Sequence, residues 1–137
     1  MWISPFAENL YYSLVLRVDG GMRQLEGLSL VVGLAVMRTL QGFNVKDVGL
    51  KWPNDVLIDD KKIAGILVEV AGEVSGYFQV VIGIGINVKM PSGLMGGVEQ
   101  PWSSLEAHGF KPELRNSLAG GLINEVIQTF VQFAQHG

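Results

Sequence analysis

The sequence predicts an α+β domain with a largely antiparallel, mixed sheet and helices packed on it, and three observations carry that expectation. Between residues 48 and 88, segments rich in β-branched and aliphatic residues alternate with short polar turns, the pattern of a meander. On either side of that block, at residues 24–41 and from Leu118 onward, apolar residues recur at helical spacing. The composition, 48% hydrophobic against 17% charged with a net charge of -3, supplies a core and excludes intrinsic disorder. A chain of 137 residues is the size of one domain.

Taken in order, residues 10–18 (LYYSLVLRV) predict a strand that ends at Asp19-Gly20-Gly21. Residues 24–41 carry Leu25, Leu28, Val32, Ala35 and Val36 on one helical stripe, with Gly42 as the expected C-terminal stop. This reads as a buried helix despite Gly27 and Gly33. Strands then follow at residues 48–52 with 56–58, at 62–71 and at 77–88, with Asp59-Asp60 and residues 72–76 as turns. Near-continuous apolar character over residues 63–70 and 80–86 predicts central strands covered on both faces. Ser103 and Glu106 have capping-box spacing, and Gly109 follows, so residues 103–108 predict a short helix. In the last segment Leu118, Leu122, Ile123, Val126, Ile127, Phe130 and Val131 form the expected buried stripe, with Asn124, Glu125 and Gln128 opposite.

Several function classes fall away at this level. With no cysteine there is no disulfide framework, thiolate metal site or thiol nucleophile. The acidic balance and the scattered arginines, Arg17, Arg23, Arg38 and Arg115, disfavour a nucleic-acid partner, which wants clustered positive charge. The longest apolar runs, residues 28–37 and 80–86, fall short of the ~20 residues a membrane span needs. The start lacks the basic-then-apolar pattern of a signal peptide, so a cytoplasmic location is the expectation. No metal-ligand cluster and no Ser/His/Asp triad spacing is visible.

What remains is concentrated in three short blocks. Lys51-Trp52-Pro53-Asn54-Asp55 is unsuited to an ordinary strand, because proline removes a ladder donor and Asn and Asp favour sharp turns. It is either an aromatic-plugged Asx turn or a sheet-edge site that presents an amide and a carboxylate to a cleft. A hairpin centred on Asp59-Asp60 would return Lys62 to the neighbourhood of Leu57 and Asp55. Pointing inward, that ammonium needs an anion; pointing outward, it snorkels over the sheet. Gly83-Ile84-Gly85-Ile86-Asn87 ends a strand with two glycines on the same face, leaving room for a ligand or for a closely packed helix or bulge. It lacks the third glycine of a dinucleotide fingerprint. Trp102 either stacks on a planar ligand or anchors a loop, and His108 and His136 read as exposed helix-end residues.

In order and spacing, Lys51 to Asp55, then Lys62-Ile63-Ala64-Gly65-Ile66-Leu67-Val68-Glu69, then Gly83 to Asn87 resemble the catalytic domain of biotin protein ligases. Some bacterial members of that family are also repressors of the biotin operon. The opening segment (WISPFAENLYY), the first helix and the Trp102 region look similar too, so the resemblance covers essentially the whole chain. It implies a class II synthetase-like core that joins biotin to ATP, with Mg²⁺, and passes the biotinyl group to a lysine. The recipient would be a biotin carboxyl carrier domain of acetyl-CoA carboxylase. It implies Lys62 as the cation beside carboxylate and α-phosphate, and Asp55 as the group that orients or deprotonates the incoming amine. Around them it implies a biotin and adenylate site made of Trp52, Asn54, Ala64, Gly65, Gly83 and Gly85, with Asn87 near the phosphates and Mg²⁺ and Trp102 beside adenine.

The family's Gly/Arg-rich loop, its upstream Ser/Thr-bearing segment, its DNA-binding domain and its C-terminal β-barrel have no counterpart in residues 1–137. The expectation is therefore a partial catalytic domain. Two further readings stand beside ligation: a non-catalytic module that dimerises or binds through a sheet edge, and a lipoate-type acyl ligase. Lys51 to Asp55 favours biotin over lipoate.

Overall fold

The computed structural model describes residues 9–19, 23–51, 55–74, 76–89 and 103–136. The elements are β1 (Leu10–Asp19), α1 (Arg23–Gly42), β2 (Val48–Lys51), β3 (Asp55–Ile58), β4 (Lys61–Val74), β5 (Tyr77–Ile86) and α2 (Arg115–His136). Two single 3₁₀ turns, Glu106–His108 and Pro112–Leu114, lie between β5 and α2. The strands form one sheet in the order β1-β5-β4-β3-β2. Every strand pair is antiparallel, so the expected mixed sheet is corrected to a wholly antiparallel one among the described residues.

The sheet has one greasy face and one open face because its strands alternate. On β1, Tyr12, Leu14 and Leu16 are half-buried while Tyr11, Ser13, Val15 and Arg17 are exposed. On β5, Val80, Ile82, Ile84 and Ile86 are buried, and they lie opposite Val70, Val68, Ile66 and Ala64 of β4. Helix α1 covers this face with Leu28, Val32, Ala35, Val36 and Leu40, spaced as a 3.6-residue period requires. Helix α2 packs chiefly on α1, through Leu118, Leu122 and Val126. Burying a side chain of this size stabilises by about 1.5–3 kcal/mol, so this single layer contact is the principal source of stability.

Among the described residues, central strands covered on both faces are thus not found. Leu67 of β4 is 57% exposed and Val15 of β1 64%, both on the face away from the helices. The apolar run at Ile63–Ile66 has a different cause. The β3–β4 register shifts between Val56 and Leu57, so that Val56 pairs with Ala64 but Leu57 pairs with Lys62. Ile63 is the extra residue of a β-bulge, and consecutive Ile63 and Ala64 are both buried in the core.

Two boundaries also differ from expectation, and so does the exposure of α2. α1 continues through Gly42, and the chain reverses at Asn44, whose φ is 66°. Val45 N–H donates to Leu40 O and Asn44 N–H to Gln41 O, both at 3.0 Å, the hydrogen-bond pattern of a Schellman stop. Gly72 lies inside β4, beside a second register shift between Val70 and Gly72, and not in the turn. On α2 the residues Ile123, Ile127 and Val131 are exposed, because α1 covers only one stripe of the helix. No described helix is long and apolar enough to cross a membrane.

Candidate functional site

The site begins at the Asp59-Asp60 turn. Both residues have positive φ, 52° and 61°, as a two-residue primed turn demands, and Ile58 pairs directly with Lys61. That tight turn fixes the register of β3 against β4. In an unbroken strand Lys62 and Gly65 would face opposite sides, since they are an odd number of residues apart. The bulge at Ile63 restores them to one face, where Asp55 lies opposite Gly65 and Leu57 opposite Lys62. Lys62 Nζ and Asp55 Oδ1 are 3.1 Å apart, with side chains 15% and 22% exposed. At that burial the ion pair is less screened than on an open surface, and the Nζ position is held by charge as well as by packing.

Next to this pair the sheet is paved with glycine. Gly65 of β4 pairs with Gly85 of β5, and Gly83 pairs with Leu67 on one side and Ser13 on the other. Together with Tyr11, Ser13, Asp55 and Lys62 these residues line a pocket of about 470 Å³ on the open face. That size suits a small ligand. A Cβ added at Gly83 would meet only Leu67 Cβ, at 3.9 Å. Internal packing therefore does not require glycine there; the missing side chain leaves room in the pocket itself. A closely packed helix does not fill that room, because both described helices lie on the opposite face.

Five of the sequence-predicted residues come together here: Asp55, Lys62, Gly65, Gly83 and Gly85. Ala64 does not. It is fully buried on the helix side, opposite Ile86 and Val56, as strand alternation requires of a neighbour of Gly65. Asn87 is also outside the pocket lining and fully buried. Its backbone N–H donates to Ile63 O at 2.8 Å and its Nδ2 to Ser103 O at 3.3 Å, while its Oδ1 has no partner among the described residues. Its place is a junction behind the pocket. Trp52, Asn54 and Trp102 lie outside the described residues.

Sequence reasoning missed Tyr11 and Ser13, which reach the pocket from β1. The alternation of β1 with glycines on β5 was a signal for them, since Tyr11 pairs with Gly85 and Ser13 with Gly83. It also missed Asn9, whose buried Oδ1 accepts from Val88 N–H at 2.9 Å and Lys89 N–H at 3.3 Å, tying the start of β1 to the end of β5. The expected Ser103 cap is corrected: Ser104 Oγ accepts from Ala107 N–H at 3.3 Å, and the helix shrinks to the turn Glu106–His108. His108 is half-buried and not an exposed helix end.

Comparison with known proteins bears on this arrangement. Residues 1–87 match the model of the biotin/lipoate A/B protein ligase family. The bifunctional ligase/repressor BirA of Escherichia coli is 40% identical over 136 residues, which is 99% of this chain and 42% of that protein. The biotin–[acetyl-CoA-carboxylase] ligase of Paracoccus denitrificans is 41% identical over 90 residues, covering 64% of this chain and 37% of that protein. Among solved structures, the biotin protein ligase of Aquifex aeolicus superposes in its apo form with a TM-score of 0.78 at 26% identity, over 95% of this chain and 56% of that one. Its complex with biotin and ATP gives 0.71 at 26% identity, over 95% of this chain and 53% of that one. The chain thus spans about two fifths of the length of the curated relatives named here. Its sequence and its fold agree, and it belongs to the biotin/lipoate A/B protein ligase family.

Proposed function

We propose that the glycine-floored pocket binds biotin and that this chain carries the adenylation site of a biotin protein ligase. The observation that carries the reading is the joining of a side-chain-free floor, Gly65, Gly83 and Gly85, to a fixed cation, Lys62, at its wall. A flat bicyclic ligand lies on such a floor, and its carboxylate extends toward the ammonium. One biotin carboxylate oxygen attacks the α-phosphorus of ATP, the bond from that phosphorus to the bridging oxygen of the β-phosphate breaks, and pyrophosphate leaves. Lys62 offsets the negative charge that gathers at the α-phosphate. In the second step a carrier lysine amine attacks the carbonyl of the mixed anhydride, AMP leaves, and Asp55 takes the amine proton.

Magnesium enters as part of the ATP complex, since it binds through substrate phosphates with few protein ligands. The names of the relatives support biotin over lipoate, and those that name acetyl-CoA carboxylase support its carrier domain as the acceptor.

Biotin-dependent exchange of labelled pyrophosphate into ATP tests this reading. Lys62→Ala is expected to lower exchange by about 10²-fold or more, the scale of losing one preorganised charge-stabilising group. Asp55→Ala is expected to retain exchange better than Lys62→Ala and to slow transfer to the carrier. Unaltered exchange in Lys62→Ala contradicts the role given to that residue. A folded chain that exchanges pyrophosphate with lipoate and not with biotin favours the lipoate alternative.

A further inference from the structure

We infer that Ser103 and His108 form a positioning pair that clamps the backbone of Lys62 to the segment on the nucleotide side of the site. The inference deepens the ligase reading and rests on it. Ser103 uses all of its polar groups on three different elements. Its N–H donates to Lys62 O at 2.9 Å, its carbonyl accepts from Asn87 Nδ2 at 3.3 Å, and its Oγ lies 2.9 Å from His108 Nε2.

The need for a clamp follows from the sheet. β3 pairs with Lys62 on one side, but on the other side the β4–β5 ladder ends at Ala64 and Ile86. Asn87 N–H extends it by one bond to Ile63 O, and Ser103 N–H supplies the next, to Lys62 O. Ser103 therefore substitutes for a strand residue that β5 no longer provides. That bond ties the Lys62 backbone on the side away from β3, where β5 no longer reaches, and so fixes the base of its side chain.

His108 is a rigid post for this arrangement. Its N–H donates to Leu105 O at 3.0 Å, and the chain then turns through Gly109, with φ of 93°, into buried Phe110. Leu105 is fully buried, and its own N–H donates to Asn87 O at 2.8 Å. A hydroxyl both donates and accepts, so Ser103 Oγ can pair with either tautomer of the imidazole. The pair fixes the residue that follows Trp102, which the ligase reading sets beside adenine, relative to the cation that meets the α-phosphate. Its effect belongs on the step that joins biotin to the nucleotide, because in the ligase reading Lys62 meets both the biotin carboxylate and the α-phosphate.

Two measurements on Ser103→Ala, His108→Ala and His108→Gln test this. The first is amide hydrogen exchange: each alanine variant is expected to speed exchange at Ser103 by about tenfold and to leave Ile84 unaltered, while His108→Gln, which keeps a donor and acceptor at similar reach, restores protection. The second is pyrophosphate exchange: the alanine variants are expected to lower its maximal rate at saturating biotin and ATP about five- to tenfold, and His108→Gln to recover it. Unaltered exchange at Ser103 overturns the clamp. An unaltered maximal rate in the alanine variants overturns its role toward Lys62. No pyrophosphate exchange by the folded chain, even with a relative's upstream Gly/Arg-rich segment joined to it, sinks the ligase reading and that role with it, and the amide measurement still decides whether the clamp exists.

Discussion

At Gly83 the missing side chain costs the strand conformational entropy and gains no packing contact, since a Cβ there would meet only Leu67 Cβ at 3.9 Å. In the proposed reading, biotin lying on the backbone is the reason the position is empty. Gly83→Ala is therefore expected to raise stability by about 0.5–1 kcal/mol in urea unfolding and to weaken biotin binding about tenfold or more in calorimetric titration. Unchanged biotin affinity in that variant contradicts the pocket assignment. The pair of glycines at 83 and 85 was legible in the sequence because strand alternation alone puts both on one face. Lys62 beside Asp55 was legible because a two-residue turn leaves little freedom in register. Ala64 was misplaced: adjacent strand residues face opposite sides, and Gly65 already occupied the pocket side. Asn87 lies behind the pocket, and nothing in its local sequence shows that the chain returns at Ser103 to cover it.

The elements show the same division between local and distant causes. β1 and the meander are fixed by alternation and short turns, and the structure follows the expected limits within a few residues. The bulge at Ile63 was not foreseen, because an extra buried residue and a doubly covered strand produce the same apolar run. On α2, the apolar residues spread over more of the helix than α1 covers, so Ile123, Ile127 and Val131 were assigned to the core although they are exposed. Two adjacent glycines on that helix test the observed packing. An added Cβ at Gly120 meets nothing within 4 Å, whereas at Gly121 it comes within 3.1 Å of Phe43 Cε2. Phe43 packs edge-on against Phe110, with ring centroids 6.0 Å apart, and is not free to withdraw. Gly120→Ala is expected to stabilise by about 0.5–1 kcal/mol. Gly121→Ala should gain less or lose, as read from urea midpoints; equal gains contradict the α1–α2 contact described.

For the whole molecule, the two-layer arrangement explains why the described residues leave one face of the sheet open. Both helices lie on one side of the sheet, so the other side keeps backbone, glycine and an ion pair accessible together with exposed Tyr11, Val15 and Leu67. The α+β class was legible from periodicity alone. The open face was not, since apolar β4 and β5 read as central strands covered twice. The account's central claim is that this open face, floored by Gly65, Gly83 and Gly85, is where biotin binds. The most direct test follows backbone amide resonances of the chain during titration with biotin. Saturable shifts are predicted at Lys62, Gly65, Gly83 and Gly85, with the amides of α1 and α2 unmoved. Saturable shifts confined to the helices, or none at millimolar biotin, would contradict it.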